Sequence, residues 1–426
     1  MDFYDIRYLK TRSFSLNLEN GSLEKPKYEN YAGKSFRVLK NGSWGVYNGL
    51  VDDKLGLELA ERNVMGGDVE IDQSVDSGHY EFRQRINVDS IDVEEKVKLL
   101  KEIEKELRAD YIVSTRIGYI EYIREFRYTN SLGAEVSYTV PRTGIAIQAV
   151  GKDTTLQFLS KRLFRAGGFE VVSGDEPFEM ASEITSKLKE LLRALSPPSG
   201  KMPVLMDPSL GGVFIHEAFG HAVEADHLLR GASILKQTGI RVGPEELFVY
   251  DDPLREEFGF FPFDDEGVKA RKKAVIEAGI FKEFLHSRET AKKLNGVPGN
   301  SRSQGVAEPL IRMSNTYIDE GDYEFDELLE SVGNGVYLVG TRGGETNPAT
   351  GYFHFSAQYG YLVINGEVGK MIKDVSLSGH TLEILKDIKI GKGLRFDPGF
   401  CGKAGQLVPV SDGGPPTVVR AFVGGA

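Results

Sequence analysis

The stretch Val213-Phe214-Ile215-His216-Glu217-Ala218-Phe219-Gly220-His221-Ala222-Val223-Glu224-Ala225-Asp226-His227 decides how the rest of the chain is read. Of the seven histidines, three fall within residues 216–227, with acids beside and between them. Imidazole and carboxylate at this density suit a zinc site. The spacing is unusual. Helical zinc motifs place two histidines at i and i+4, one turn apart on one face; here they stand at i and i+5. At about 100° per residue, five steps leave the rings roughly 140° apart on a regular α-helix, too far round to grip one ion. A π-turn, which takes up one extra residue, restores the match. The spacing therefore predicts a π-turn between His216 and His221, with Gly220 making the distortion cheap. The plainer alternative is a regular helix with two unrelated histidines.

A catalytic zinc ion takes three protein donors and leaves its fourth position to water. Glu224, Asp226, His227 and Cys401 are the candidates for the third. Glu224 lies three residues beyond His221, within local reach. Cys401 is the only cysteine, so an intramolecular disulfide is impossible, which agrees with a reducing compartment. It stands in Phe400-Cys401-Gly402-Lys403-Ala404-Gly405-Gln406, a polar, glycine-rich segment read as a turn, where Lys403 would favour the thiolate. A lone cysteine is usually a small buried hydrophobe. Spacing does not choose between Cys401 and Glu224.

Three units are expected from the pattern on either side: residues 1–65, 66–197 and 198–426. In the first, Phe14, Leu16 and Leu18 alternate with polar residues and Asn20-Gly21 follows as a hairpin turn. Phe36 and Val38 repeat the pattern before Asn41-Gly42, and residues 55–62 read as a short helix. In the second, Val93, Val97, Leu100, Ile103 and Leu107 recur at helical spacing, with Asp92 and Glu95 as a capping box. A meander of strands is expected over 111–150, then a helix carrying Met180, Ile184, Leu188, Leu191 and Leu195. Ser196-Pro197-Pro198-Ser199-Gly200 is the linker. The third opens on a buried strand at 203–206, with a turn at Gly211-Gly212 leading into the motif. The last 96 residues hold 19 of the 49 glycines, so strands and tight turns are expected there, including a hairpin at Asn365-Gly366.

The chain of 426 residues exceeds what one hydrophobic core serves. Its 40% apolar and 27% charged content is that of a folded soluble protein. No apolar run approaches the roughly 18 residues of a membrane span, and the first residues lack the pattern of a signal peptide, so a cytoplasmic protein is expected. A net charge of −11 disfavours direct nucleic-acid binding. The basic run Lys269-Ala270-Arg271-Lys272-Lys273 is read as a solvated face.

The series His-Glu-x-x-x-His-x-x-Glu-x-Asp, from His216 to Asp226, resembles the signature of the TldD/PmbA peptidases. Leu18-Glu19-Asn20-Gly21, Gly42-Ser43-Trp44-Gly45, Phe263-Asp264-Asp265-Glu266-Gly267, Arg312-Met313-Ser314-Asn315-Thr316-Tyr317, Gly344-Glu345-Thr346-Asn347-Pro348-Ala349-Thr350-Gly351 and the Cys401-Gly402-Lys403 terminus resemble further blocks of that family in order. The resemblance implies an α+β, multi-domain PmbA/TldD-like fold: a mixed α/β N-terminal part and a β-rich, glycine-rich C-terminal domain carrying the metal-site helix. It implies a cytoplasmic zinc peptidase acting on small or unfolded polypeptides, with Zn2+ on His216, His221 and Cys401 and with Glu217 as general base. In that family a metal-bearing subunit commonly pairs with a paralogue that has lost these residues. This chain keeps all four, so it resembles the catalytic partner, in a homodimer or in a heterodimer with a metal-free paralogue.

On this reading Glu217 takes the proton of the attacking water and passes it to the leaving amine. Glu224 and Asp226 orient the histidines, and Arg342, Tyr352 and His354 are candidates for oxyanion support. The glycine-rich strands could accept a peptide by strand addition. His79, His286 and His380 are read as surface or packing residues. The competing functions are a zinc hydrolase of another amide bond and a regulatory binding partner without catalysis.

Overall fold

The computed structural model describes residues 2–425 and is 21% helix and 44% strand. The N-terminal half is built on one eight-stranded sheet. Its main path runs Ser43–Asn48, Lys27–Lys40, Phe3–Glu19, Ile112–Asn130, Glu135–Lys152 and Gly78–Glu81, with Leu156–Ala166 also on Glu135–Lys152. Strands from both sides of residue 65 therefore share one sheet, because Phe3–Glu19 pairs with Ile112–Asn130 over fifteen residue pairs, Asp5–Asn130 to Glu19–Arg116. Pairing across that sequence distance is invisible in local alternation. The meander expected over 111–150 is a single hairpin of two strands, 19 and 18 residues long. The Asn-Gly turns form as read: Asn20 and Gly21 have φ of 49° and 77°, Asn41 and Gly42 52° and 66°, Asn365 and Gly366 53° and 79°. Positive φ at both central residues matches the twist of the flanking strands.

Three helices stand in the N-terminal half, α1 (Asp53–Glu61), α2 (Val93–Glu106) and α3 (Glu176–Leu191). Asp92 caps α2 by position, but its side chain accepts no capping hydrogen bond, so the expected box does not close. Leu100, Ile103, Ile184, Leu188 and Leu191 bury the apolar faces of α2 and α3 against Leu16, Leu18, Ile117 and Ile147 of the sheet. Apolar burial of this kind, at about 25 cal/mol per Å², holds the layer together.

The C-terminal half holds two larger sheets. The six-stranded one runs Ile280–Phe281, Lys273–Glu277, Val249–Asp251, Asn315–Ile318, Gln406–Gly414 and Arg395–Lys403. The nine-stranded one has the last strand, Thr417–Gly425, between Val375–His380 and Gly200–Met206. The motif segment packs against strands of both sheets. Phe214, Ile215, Ala218 and Phe219 are fully buried there.

Gly211-Gly212 is not a turn. Helix α4 (Pro208–Phe214) passes through it. A Cβ on Gly212 would come within 2.7 Å of the Asp412 backbone. The glycine thus lets the helix press onto strand Gln406–Gly414, a packing need rather than a bend. The basic run 269–273 is solvated only in part: Lys269 and Lys272 are exposed, while Ala270 and Lys273 are buried. Lys273 is fully buried, its amine donating to the carbonyls of Gly299 and Arg271.

Buried ion pairs join the halves. Arg37 sits between Asp5, at 2.5 Å, and Glu266, at 3.2 Å, while Arg124 reaches Asp265 at 2.6 Å. Asp265 and Glu266 of Phe263-Asp264-Asp265-Glu266-Gly267 are thus committed to holding the halves in register, while Asp264 accepts from the N–H groups of Val268 and Ser301. Pairs this deep are costly to break, because each leaves a charge without water or partner.

Candidate metal centre

Asp207 starts the motif helix. Its carboxylate accepts from the Leu210 N–H at 2.9 Å, and Pro208 follows at the first helical position. The α-helix passes into a π-turn over Ile215–Phe219 and then a 3-10 turn over Gly220–Val223. The π-turn expected from the i, i+5 spacing is present. It brings the rings of His216 and His221 to 5.3 Å between centroids, nearly perpendicular at 86°. Gly220 has an ordinary helical φ of −58°, so backbone freedom is not its role. A Cβ there would lie 2.1 Å from the Met313 sulfur. The glycine makes room for packing under the bulge.

Cys401 is on strand Arg395–Lys403, not in a turn; the turn is Ala404-Gly405, with φ of 49° and 76°. Strand alternation aims Cys401 inward, where it is buried, and leaves Phe400 outside. Donor atoms of His216, His221 and Cys401 all lie within 4.8 Å of one another. The Cys401 Sγ to His221 Nε2 distance is 3.7 Å. Sulfur and nitrogen donors on one tetrahedral zinc, at ~2.3 and ~2.1 Å from it, stand about 3.6 Å apart. The pair is therefore spaced as two corners of such a site.

The far sides of both imidazoles face carboxylates. Nδ1 of His216 lies 2.6 Å from Asp412 Oδ1, and Nδ1 of His221 lies 3.4 Å from Glu224 Oε2. Each ring thus has Nε2 free to turn toward the thiol. Burial works against charge on both rings, but Asp412 and Cys401 hold His216 well above its ordinary value, and Glu224 and Cys401 hold His221 up to about 10. Burial pushes the Cys401 thiol up, and the charge and hydrogen bonds of the two histidines outweigh it, holding the thiol well below its ordinary value. Lys403, expected to favour the thiolate, is engaged elsewhere. Its amine donates to Glu224 Oε2 and Asp226 Oδ1, both at 2.8 Å, and to the Ile311 carbonyl at 3.2 Å.

Glu224 is the hub of that second layer. It leaves helical geometry at ψ 116°, which ends the motif helix and lets its side chain reach back to His221. Its Oε2 also lies 3.3 Å from His227. Glu224, Asp226 and His227 form a second cluster of metal-ligand type, but the Lys403 ammonium bonds both of its acids. Glu224 thus faces His221 as the sequence reading expected, whereas Asp226 reaches Lys403 and Arg230 and neither donor histidine. Asp412 was not anticipated. It is 196 positions from His216 with no local signal; only the pairing of its strand with that of Cys401 brings it in.

Glu217 is half-buried, its Oε2 3.6 Å from His221 Nε2. Burial raises its carboxyl above the ordinary value, with the two histidines opposing. Of the three oxyanion candidates, Arg342 is committed to Asp374 at 3.3 Å, Gln157 at 3.0 Å and the Phe158 carbonyl at 3.2 Å. Tyr352 and His354 stand exposed on strand Tyr352–Ser356, which packs against the π-turn. Among the other histidines, His286 is buried beside Thr290 at 3.2 Å, His79 bonds Ser137 at 2.9 Å, and His380 packs edge-on to Tyr352.

Three family models match in order: PmbA/TldA metallopeptidase domain 1 at residues 4–62, the central domain at 86–192 and the C-terminal domain at 199–425. The chain is 59% identical over 428 residues, the full length of both, to a protein of Archaeoglobus fulgidus named metalloprotease. It is 31% identical, over 99% of this chain and 96% of the other, to a zinc metalloprotease TldD homolog of Saccharolobus solfataricus. The fold matches the crystal structure of TldE from Thermococcus kodakarensis with a TM-score of 0.79, at 18% identity, over 100% of this chain and 97% of that one. Among the described residues, no helix is long and apolar enough to cross a membrane.

Proposed function

The chain belongs to the PmbA/TldA metallopeptidase family, and from that premise we infer that it is a zinc-dependent peptidase whose ion is held by His216, His221 and Cys401 and whose general base is Glu217. The observation that carries this reading is the convergence of two imidazoles and a thiol within 4.8 Å, from positions 180 residues apart. The donor set fits zinc: nitrogen and thiolate are its preferred ligands, and three protein donors leave a position for substrate. Bound there, the ion supplies Lewis-acid chemistry, polarising a peptide carbonyl and making water acidic near neutral pH.

The chain's own groups do the rest. Asp412 and Glu224 fix the ring orientations and keep Nε2 of each histidine as the donor atom. Lys403 balances Glu224, so the carboxylate can face His221 without leaving a net buried charge. Glu217, next in sequence to one ligand and 3.6 Å from the other, accepts a proton from the attacking water and delivers it to the leaving amine. The exposed edge strand Gly344–Thr346 and its neighbour Tyr352–Ser356 lie against the π-turn, which supports main-chain recognition of extended, unfolded peptides. We place the protein in the cytoplasm, as a homodimer or with a TldE-like partner.

The test is metal analysis and peptide hydrolysis on three proteins. The wild type is expected to hold one zinc per chain and to cleave an unstructured peptide. Cys401→Ser is expected to lose the zinc. Glu217→Gln is expected to keep it and lose cleavage by about a hundredfold or more. A Cys401→Ser variant with full zinc content overturns the ligand set, and an active Glu217→Gln overturns the base.

A further inference from the structure

A cavity of about 600 Å³ opens between the halves at the start of the motif helix. None of His216, Glu217, His221 or Cys401 lines it. Asp207, which does, is nine residues from His216, about 13 Å along a helix. The volume is that of a small-molecule site.

Its walls combine aromatic faces with two carboxylates that make no ion pair. Tyr337, Tyr359 and Phe396 line it together with Asp207 and Asp397. Asp207 accepts the N–H groups of Leu210 and Gly340 at 2.9 and 3.0 Å, and Asp397 accepts the Ser209 hydroxyl at 2.6 Å. No lysine or arginine among the described residues lies within ion-pair distance of either carboxylate. Burial, with the charge of Asp397 adding to it, holds Asp207 up to about 6. Tyr359 is only 6% exposed, yet its hydroxyl has no hydrogen-bond partner among the described residues. A hydroxyl that opens toward a cavity and is engaged by no side chain is available to a ligand. Arg162 and Arg395 also line the cavity, exposed and in no ion pair, and the charge of Arg162 opposes the effect of burial on Asp397.

We propose that this cavity is a second ligand site, separate from the metal centre, that takes a short apolar peptide by its free amino end. The ammonium sits against Asp207 and Asp397, where a primary amine supplies the missing cation and the aromatic faces add cation–π attraction. The Tyr359 hydroxyl accepts from it. The apolar side chain fills the aromatic walls, and the peptide carboxylate meets Arg162 and Arg395. No bond is made or broken. Because this site contacts the first turn of the helix that carries His216, occupancy reports on that helix without touching the donors.

The experiment is calorimetric titration of the dipeptide Leu-Leu into the full chain carrying Glu217→Gln, so that the probe is not consumed, with and without chelator. Saturable binding in both conditions is expected, and N-acetyl-Leu-Leu is expected to bind at least roughly tenfold more weakly. Asp397→Asn and Tyr359→Phe, each added to that background, are expected to weaken Leu-Leu by roughly tenfold while leaving the thermal midpoint near that of the parent. The proposal falls if Leu-Leu does not bind, if acetylation has no effect, if chelator abolishes binding, or if both variants bind as the parent does. Since binding and not cleavage is read, failure here leaves the peptidase assignment untouched, and the reverse also holds.

Discussion

The imidazole of His216 and the carboxylate of Asp412 meet at 2.6 Å between Nδ1 and Oδ1, with the ring almost wholly enclosed. A carboxylate there fixes the tautomer that presents Nε2 and raises the basicity of the donor. Asp412→Asn is expected to weaken zinc binding by roughly 10–100-fold, read by competition with a chromophoric chelator. Unchanged affinity would remove Asp412 from that role.

Gly220 faces the sulfur of Met313, 2.1 Å from where a Cβ would sit. Gly220→Ala is expected to destabilise the fold by about 1–3 kcal/mol through overpacking, measured by urea denaturation. Adding Met313→Ala should return part of that loss relative to Met313→Ala alone, since the two atoms compete for one space. Additive effects would show that the backbone, and not the contact, is what glycine serves.

Lys403→Met leaves Glu224 buried beside Asp226 without the ammonium that bonds both. Breaking a buried pair by removing one partner costs about 3 kcal/mol. The double variant Lys403→Met/Glu224→Gln is expected to be more stable than Lys403→Met alone, because the stranded charge is gone. Equal stability of the two would mean that Glu224 finds another cation.

His286 gives the stability a pH dependence with a definite sign. Burial, with Arg271 adding to it and Glu283 opposing, lowers its pKa from 6.5 to about 4. Above pH 6.5 neither folded nor unfolded ring takes a proton. Between 6.5 and about 4 the unfolded chain binds a proton that the folded chain refuses, so stability falls as the pH falls. The gap of about 2.5 corresponds to about 3 kcal/mol at about 1.36 kcal/mol per pH unit. His286→Asn is expected to flatten that part of the curve, in denaturation midpoints compared from pH 7 to pH 4. Parallel curves would rule the residue out.

The legible parts of this molecule were those written in neighbouring residues. Asn20-Gly21 and Asn365-Gly366 carry their turn geometry in two letters, and the five-residue step from His216 to His221 carries the π-turn. What escaped was set by contacts between distant segments. Gly212 looks like a turn residue until strand Gln406–Gly414 is laid against it. Cys401 lies in a glycine-rich stretch and is nonetheless a strand residue, because it pairs with Val408, and its neighbours Phe400 and Gly402 with Pro409 and Leu407, across the sheet. Lys273 belongs to a run of charges that reads as solvated, and only the fold shows it fully enclosed. Asp412 could not be found at all, since an acid near the end of a chain has no local mark that it will face a particular imidazole.

The last strand, Thr417–Gly425, lies inside the nine-stranded sheet, hydrogen-bonded to Gly200–Met206 on one side and Val375–His380 on the other. Because it is laddered along both edges, it can be displaced only by opening two sets of hydrogen bonds at once, which ties the segment beyond Cys401 to the strand that leads into the motif helix.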